Sequence, residues 1–230
     1  MKKIFGSGAV AVFALLLLAQ PARAIVFGRL DNFQDGTTME WDTGQFAPPV
    51  ANISTGGPAG AGDRYMRITA DGSGAGGRLV AFNFSTWTGN YIAAGVNAIS
   101  ISLNNFSAVN LSIRFAFQSE IAQGGPGYLS QAMILPANGG WMNFTISLAP
   151  GSLTAVNAPT PYNTFFQNVA WTRIIHAPGT GSLNGSTVTG QLGIDNIHAI
   201  PEPSTTALAA GGLLALAAVF MRGRRRAATS

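Results

Sequence analysis

The sequence predicts an all-β protein: a two-sheet jelly-roll sandwich, flanked by an N-terminal signal peptide and a C-terminal transmembrane helix. Three observations carry this reading. First, three runs alternate strictly between apolar and small or polar residues: Ala98-Ile-Ser-Ile-Ser-Leu103, Leu111-Ser-Ile-Arg-Phe-Ala-Phe117 and Met142-Asn-Phe-Thr-Ile-Ser-Leu148. A period of two places alternate side chains on opposite faces of a strand. Second, Gly-rich punctuators separate such runs, as at 54–63, 71–77, 123–127 and 179–186. Third, no segment of the middle sustains the 3.6-residue period of an amphipathic helix.

The elements follow in order. Residues 1–24 read MKKIFGSGAVAVFALLLLAQPARA, with two lysines, an apolar stretch around Ala9–Ala19 and a small-x-small box at Ala22-Arg23-Ala24. That is the form of a secretory signal peptide. The sandwich is expected over residues 25–200, about 176 residues, enough for one ordinary core. Ile25–Phe33 reads as an edge strand. Tyr65–Ala70, Leu79–Phe84, Tyr128–Leu135, Val169–His176 and Gln191–Ala199 read as further strands. In the central run, Leu111, Ile113, Phe115 and Phe117 belong to the buried face. Ser112, Arg114, Ala116 and Gln118 belong to the other face, which is expected to meet solvent. Eight or nine strands in one domain of this size favour a jelly roll. Thr205–Met221 carries no charge over 17 residues and is followed by Arg222-Gly-Arg-Arg-Arg226. As a helix it spans roughly 25 Å, at the short end of what a bilayer core requires. Its arginines are expected on the cytoplasmic side.

Charge placement excludes one class of function. The 230 residues carry a net charge of +4. Seven of the 13 basic residues (Lys2, Lys3, Arg23, Arg222, Arg224, Arg225 and Arg226) lie in the two ends. The middle keeps six arginines against eight acids. No basic stripe remains to neutralise a phosphate backbone, so no nucleic-acid partner is expected. There is no cysteine, so an exported domain must rely on packing rather than disulfides.

Residues 201–230 have a further character. Pro201-Glu202-Pro203-Ser204-Thr205 precedes the Ala/Leu/Gly-rich segment and the arginine cluster. This tripartite order resembles a PEP-CTERM sorting signal. The resemblance implies recognition by an exosortase, a membrane transpeptidase, with Pro201, Glu202 and Pro203 as the sorting motif. It further implies an inner-membrane-anchored precursor, then release to the cell surface or the exopolysaccharide matrix of a Gram-negative bacterium. Pro201 and Pro203 suit such a role physically, because they hold the chain extended and outside any helix interior or central strand.

Catalytic chemistry finds little support in the middle. The two histidines, His176 and His198, stand at ends of expected strands and near no G-x-S-x-G turn. No H-E-x-x-H or His-rich cluster is present. Asp31, Asp35, Glu40 and Asp42 offer carboxylates for glycoside hydrolysis, but within one expected N-terminal turn. Gly72–Gly77 is Gly-rich but leads into a strand, so it supplies no helix N-terminus for a phosphate. The domain is read as non-catalytic.

Four motifs in order, NFQDG from Asn32, GDRYMRI from Gly62, GWMNFTISL from Gly140 and GIDNIHAI from Gly193, resemble galactose-binding-like jelly rolls and carbohydrate-binding modules. The resemblance implies binding of an exopolysaccharide or cell-surface glycan. It also implies a structural Ca²⁺ joining the first turn to the last strand. Asp195 would be the last-strand ligand, Gln34 or Asp35 the first-turn ligand, and Asp63 the next. The family commonly shows Glu where Gln34 stands, and a neutral amide is the weaker ligand. Of the aromatic residues, Trp141 and Trp171 begin alternating strands and are expected to pack. Trp87 and Tyr91, in the turn-like WTGNY, are expected to be exposed platforms for a sugar. Arg114 and Gln118 are candidate hydrogen-bonding groups on the outward face. Two other readings remain open here: a purely structural matrix or adhesion protein, and a polysaccharide-modifying enzyme.

Overall fold

In a computed structural model, residues 24–44, 47–74 and 76–200 are described. All but Ala24 of the expected signal peptide, the Pro201–Pro203 motif, the 205–221 helix and the arginine tail lie outside them. Among the described residues, no helix is long and apolar enough to cross a membrane.

Among the described residues, twelve strands form two antiparallel sheets. In chain order they are β1 (Leu30–Asp31), β2 (Ala51–Ile53), β3 (Tyr65–Asp71), β4 (Val80–Asn83), β5 (Ala98–Asn105) and β6 (Leu111–Gln118). Then come β7 (Gly127–Leu129), β8 (Met133–Leu135), β9 (Gly140–Ser147) and β10 (Thr154–Val156). One helical turn, α1 (Tyr162–Phe165), precedes β11 (Trp171–His176) and β12 (Thr189–Ile200). The first sheet runs β2-β3-β12-β5-β9, with β1 also on β12. The second runs β10-β7-β6-β11-β4, with β8 also on β6. The chain changes sheet from β3 through β4 and β5 to β6; of the three strongly alternating runs, β5 and β6 lie inside their sheets and β9 forms an edge of the first.

Alternation placed the core correctly. Leu111, Ile113, Phe115 and Phe117 are buried against Ile99, Ile101 and Leu103 of β5 and Leu192 and Ile194 of β12. Each such side chain contributes roughly 1.5–3 kcal/mol when taken from water. Two expected strands differ in extent, and two short strands, β2 and β10, were not anticipated. Ile25–Phe33 forms a strand only at Leu30–Asp31. The expected Tyr128–Leu135 strand divides at Ser130. The Ser130 N–H donates to Phe115 O at 2.8 Å, and its hydroxyl accepts from Phe115 N–H at 2.9 Å, which breaks regular pairing. The short β2 and β10 carry too few residues to show an alternation.

The outer face of the second sheet is the main departure. Ser112, Arg114, Ala116 and Gln118 do lie opposite the core residues, but they do not face open water. Ala116, Leu129, Val156, Ile175, Ala177 and Leu183 form a second apolar cluster there. Leu183 comes from the connection between β11 and β12, which folds back across the sheet. Gly127 permits this closeness: a Cβ at that position would lie 2.1 Å from Phe117 O and 2.7 Å from Leu183 Cδ1.

Candidate functional site

The N-terminal turns are built around one buried carboxylate. Asp31 Oδ2 accepts from Trp41 Nε1 at 2.9 Å and from Trp87 Nε1 at 2.7 Å. Its other oxygen pairs with Arg29 Nη2 at 2.8 Å. Burial pushes the Asp31 carboxyl above its ordinary value, against the opposing pull of Arg29 and the two indoles. Trp87 is therefore interior, with no exposed surface. Tyr91 is interior too; its hydroxyl donates to Trp87 O at 3.0 Å and its ring packs edge-on against Phe117 and Phe166. Desolvation raises its phenol well above the usual range. The expectation of an exposed WTGNY platform is corrected: Trp87 is anchored inward by Asp31, and the Tyr91 hydroxyl also lies 3.2 Å from Thr172 Oγ1, partners far away in sequence.

Arg114 and Gln118 are likewise enclosed. Arg114 Nε donates to Ala177 O at 2.9 Å and Nη1 to Ser130 O at 2.7 Å. Gln118 Nε2 donates to Ala122 O at 2.8 Å, and its Oε1 accepts from Arg173 Nη2. Both tie down the loops that cover the sheet, so neither stands as an open ligand contact. His176 is buried, and its Nδ1 accepts from Ser112 N–H at 3.1 Å. Burial lowers its basicity. The carboxylates of the first turns do not act together either. Asp35 is exposed and accepts from Thr37 N–H at 2.8 Å and its hydroxyl at 2.9 Å; these bonds hold it below the ordinary carboxylate value. Asp42 accepts from the N–H groups of Thr43 and Gly44.

The residues expected around calcium divide in the same way. Asp35 is engaged in its own turn, whereas Gln34 reaches Asp63. Three oxygens converge on Gln34 Nε2: Asp63 Oδ1 at 2.7 Å, Asn32 O at 3.1 Å and Arg64 O at 3.1 Å. The pairings Asp31↔Ile197 and Met66↔Ile194 bring Asp195 between the Asn32–Gln34 turn and the Asp63–Tyr65 segment. A bulge at this point, with Asn196 at φ 51°, turns the strand. Asp195 is fully buried, and its Oδ1 has no hydrogen-bond partner. Burial, reinforced by the negative charge of Asp63, pushes its carboxyl up to about 7. Two carboxylates, two carbonyls and an amide whose oxygen can replace its nitrogen by a flip form a donor set that fits a hard cation. Among the described residues no group of three or more acidic, His or Cys side chains gathers, so backbone and amide oxygens would have to complete the shell.

An open groove remains on the second sheet where the covering loops stop, at β4 and β11. It measures about 90 Å³ and is lined by Phe82, Trp171, Arg173 and Val80, with Thr43, Ala47, Arg78, Gln123 and Asn184 around them. Alternation explains the floor. Val80, Phe82 and Phe84 share one face along the β4 edge, and Trp171 and Arg173 share that face of β11. Phe84 is 43% exposed and stacks on Trp171 with centroids 5.2 Å apart; Phe82 lies 4.7 Å from Phe84. The Arg173 guanidinium sits 4.0 Å above the Trp171 ring. Its Nη1 donates to Asn184 at 3.3 Å, and its Nε has no partner. Asn184 also accepts from Gly124 N–H at 3.3 Å, which links the two covering loops at the rim. An apolar ring beside convergent polar groups suits a sugar, which has a C–H face and a hydroxyl edge. Trp171 does pack, as its sequence position implied, but the packing builds a platform with Phe84. The signal for that platform was present in the sequence as Val80-x-Phe82-x-Phe84.

A larger hollow of about 300 Å³ lies at one end of the sandwich, among Ile92, Val96, Asn97, Pro150, Tyr162 and Asn163, with Tyr91 in its lining. Its lining carries no charged group. Tyr162 is engaged with Leu148 O, so it offers fewer orienting contacts.

No family model matches this sequence, and no curated protein matches it. Among solved structures, the chain is similar to the family 11 carbohydrate-binding module from Clostridium thermocellum, which was solved with a β-1,3-1,4-mixed-linked tetrasaccharide. The identity is 14% and the TM-score 0.50, over 76% of this chain and 96% of that one. It is also similar to part of an exo-β-agarase, at 10% identity and TM-score 0.54, over 76% of this chain but only 25% of the agarase. At these identities the likeness establishes the shared β-sandwich fold.

Proposed function

We propose that this chain is an exported, non-catalytic glycan-binding protein of the cell surface or exopolysaccharide matrix. The observation that carries this reading is the groove lined by Phe82, Trp171 and Arg173, with the exposed Phe84 stacked beside it on Phe82 and Trp171. It is an aromatic floor, edged by Arg173, Asn184 and Gln123, on the stretch of the second sheet that the loops leave open. The fold shared with carbohydrate-binding modules supports it. The non-catalytic part of this reading is the one the sequence suggests, with no histidine near a G-x-S-x-G turn and no H-E-x-x-H motif.

Delivery follows from the chain ends. The signal peptide directs export, and the Pro201-Glu202-Pro203 motif, apolar segment and arginines are read by an exosortase. The membrane helix holds the precursor until that step. The mass of the mature protein tests this: loss of the arginine tail is expected, and an intact C-terminus on every molecule would refute sorting. In the same reading, Asn32, Gln34, Asp63, Arg64 and Asp195 hold a structural Ca²⁺ that ties the first turns to β12. A chelator is then expected to lower the melting temperature, and an unchanged melt counts against the ion. For the groove, a polysaccharide panel is the test. The wild-type chain binds a polysaccharide, and Phe84→Ala reduces that binding at least tenfold with folding intact, about 1.4 kcal/mol. Absence of binding to every polysaccharide, the host's own included, would leave a purely structural role.

A further inference from the structure

The charges around the groove narrow the glycan class. This step rests on the groove being the glycan site. Arg173 is 3% exposed, yet its partners are two neutral amides, Gln118 and Asn184. A buried cation ordinarily has a counter-charge within contact. Among the described residues, neither Arg173 nor Arg78 forms an ion pair with a carboxylate; the pair that does form is Arg29–Asp31, in the N-terminal turns. Arg78 is exposed at the groove rim, and its positive charge adds to burial in lowering the Arg173 guanidinium to about 10. Arg114 lies on the same outer face, opposite Ile175 and one strand from Arg173. Three of the domain's six arginines therefore crowd one sheet face.

The acids are elsewhere. Asp31, Asp35, Glu40, Asp63, Asp71 and Asp195 belong to the N-terminal turns and the first sheet. The flanking loops carry Asp42 and Glu120, but neither lines the groove. A domain whose described charges are nearly balanced thus concentrates positive potential over one aromatic floor.

We propose that the groove binds an acidic polysaccharide, one bearing uronate sugars, with the pyranose face on Phe84 and the carboxylate supplying the counter-charge for Arg78 and Arg173. A planar carboxylate matches the donor fork of the exposed Arg78 guanidinium, and Arg173, whose Nη groups are held by Gln118 and Asn184, adds its charge. A neutral glycan fills the aromatic platform and leaves two facing cations uncompensated.

The test uses the full chain in mild detergent at pH 7, with polygalacturonate and alginate as acidic probes and a mixed-linked β-glucan as the neutral one. Affinity electrophoresis reads binding, and circular dichroism reads folding. At least one acidic polymer is expected to bind more tightly than the glucan. Arg78→Gln, an exposed substitution, is expected to weaken that binding at least tenfold. Raising salt from 50 to 500 mM is expected to do the same, because the contact is charged. Phe84→Ala is expected to abolish it. Glucan binding that is lost in Phe84→Ala but indifferent to Arg78→Gln and to salt overturns the acidic class and leaves the groove intact. Acidic binding that survives both substitutions, or no binding of any polymer by folded protein, overturns the groove itself.

Discussion

At the residue scale, two buried carboxylates do opposite things. Asp31 gathers Trp41, Trp87 and Arg29 around one side chain. Removing it leaves two indole N–H groups and a guanidinium without partners. Asp31→Ala is therefore expected to cost about 3–5 kcal/mol, measured by urea unfolding; a loss below about 1 kcal/mol would show that the cluster is incidental. Asp195 is the less satisfied group. Its folded value of about 7 lies well above the ordinary range of an aspartate carboxyl. An acid whose folded value is raised binds its proton more tightly when folded, so stability is greatest at low pH. Stability then falls as pH rises from about 4 through about 7, and flattens beyond. With a chelator present, calorimetry is expected to show a lower melting temperature at pH 8 than at pH 5. Asp195→Asn should reduce that slope without abolishing it, because Asp31 shifts in the same direction. An unchanged slope in the variant would remove Asp195 from the account.

At the element scale, the covered face of the second sheet is the controlling feature. The connection between β11 and β12 lays Leu183 onto Ala116, Leu129 and Ile175, while Arg114 and Gln118 bond to the segments beside it. This cover defines where the groove begins, because the sheet is open only past Asn184 and Gln123. Leu183→Ala is expected to cost about 2–4 kcal/mol and to speed amide exchange in β6 and β11 more than in β5. Uniform exchange would mean that the loop adds bulk rather than a local clamp. In the sequence the loop reads as GTGSLNGS, one leucine among turn residues. Nothing local distinguishes it from a solvated connection, which explains why the outward face of β6 was expected to be wet. The aromatic row on β4, by contrast, was legible as an alternation, but not its partner across the strand pair, because register between β4 and β11 is a long-range property.

At the scale of the whole molecule, one cluster of buried side chains includes residues from both sheets, from Met66 and Ile99 to Phe115 and Ile174. With no disulfide to stabilise either half alone, the sheets are expected to unfold together. Near-ultraviolet signals from Trp41 and Trp87 and far-ultraviolet signals from the strands should give coincident urea transitions. Two separated midpoints would divide the sandwich into independent units.

The sequence by itself determined most of the longer strands, the core-facing residues of β6, the two-sheet class and the placement of the basic residues at both ends. These follow from local rules: side chains alternate along an extended chain, and Gly and Pro interrupt it. Only the tertiary structure decided which polar and aromatic side chains meet water. Trp87 and Tyr91 turned inward, Arg114 and Gln118 were roofed over, and Phe84 stayed exposed, stacked on a largely buried Trp171. The physical reason is that exposure is set by what packs on a residue from elsewhere in the chain. Asp31 lies 56 positions from Trp87, and no local pattern records that meeting.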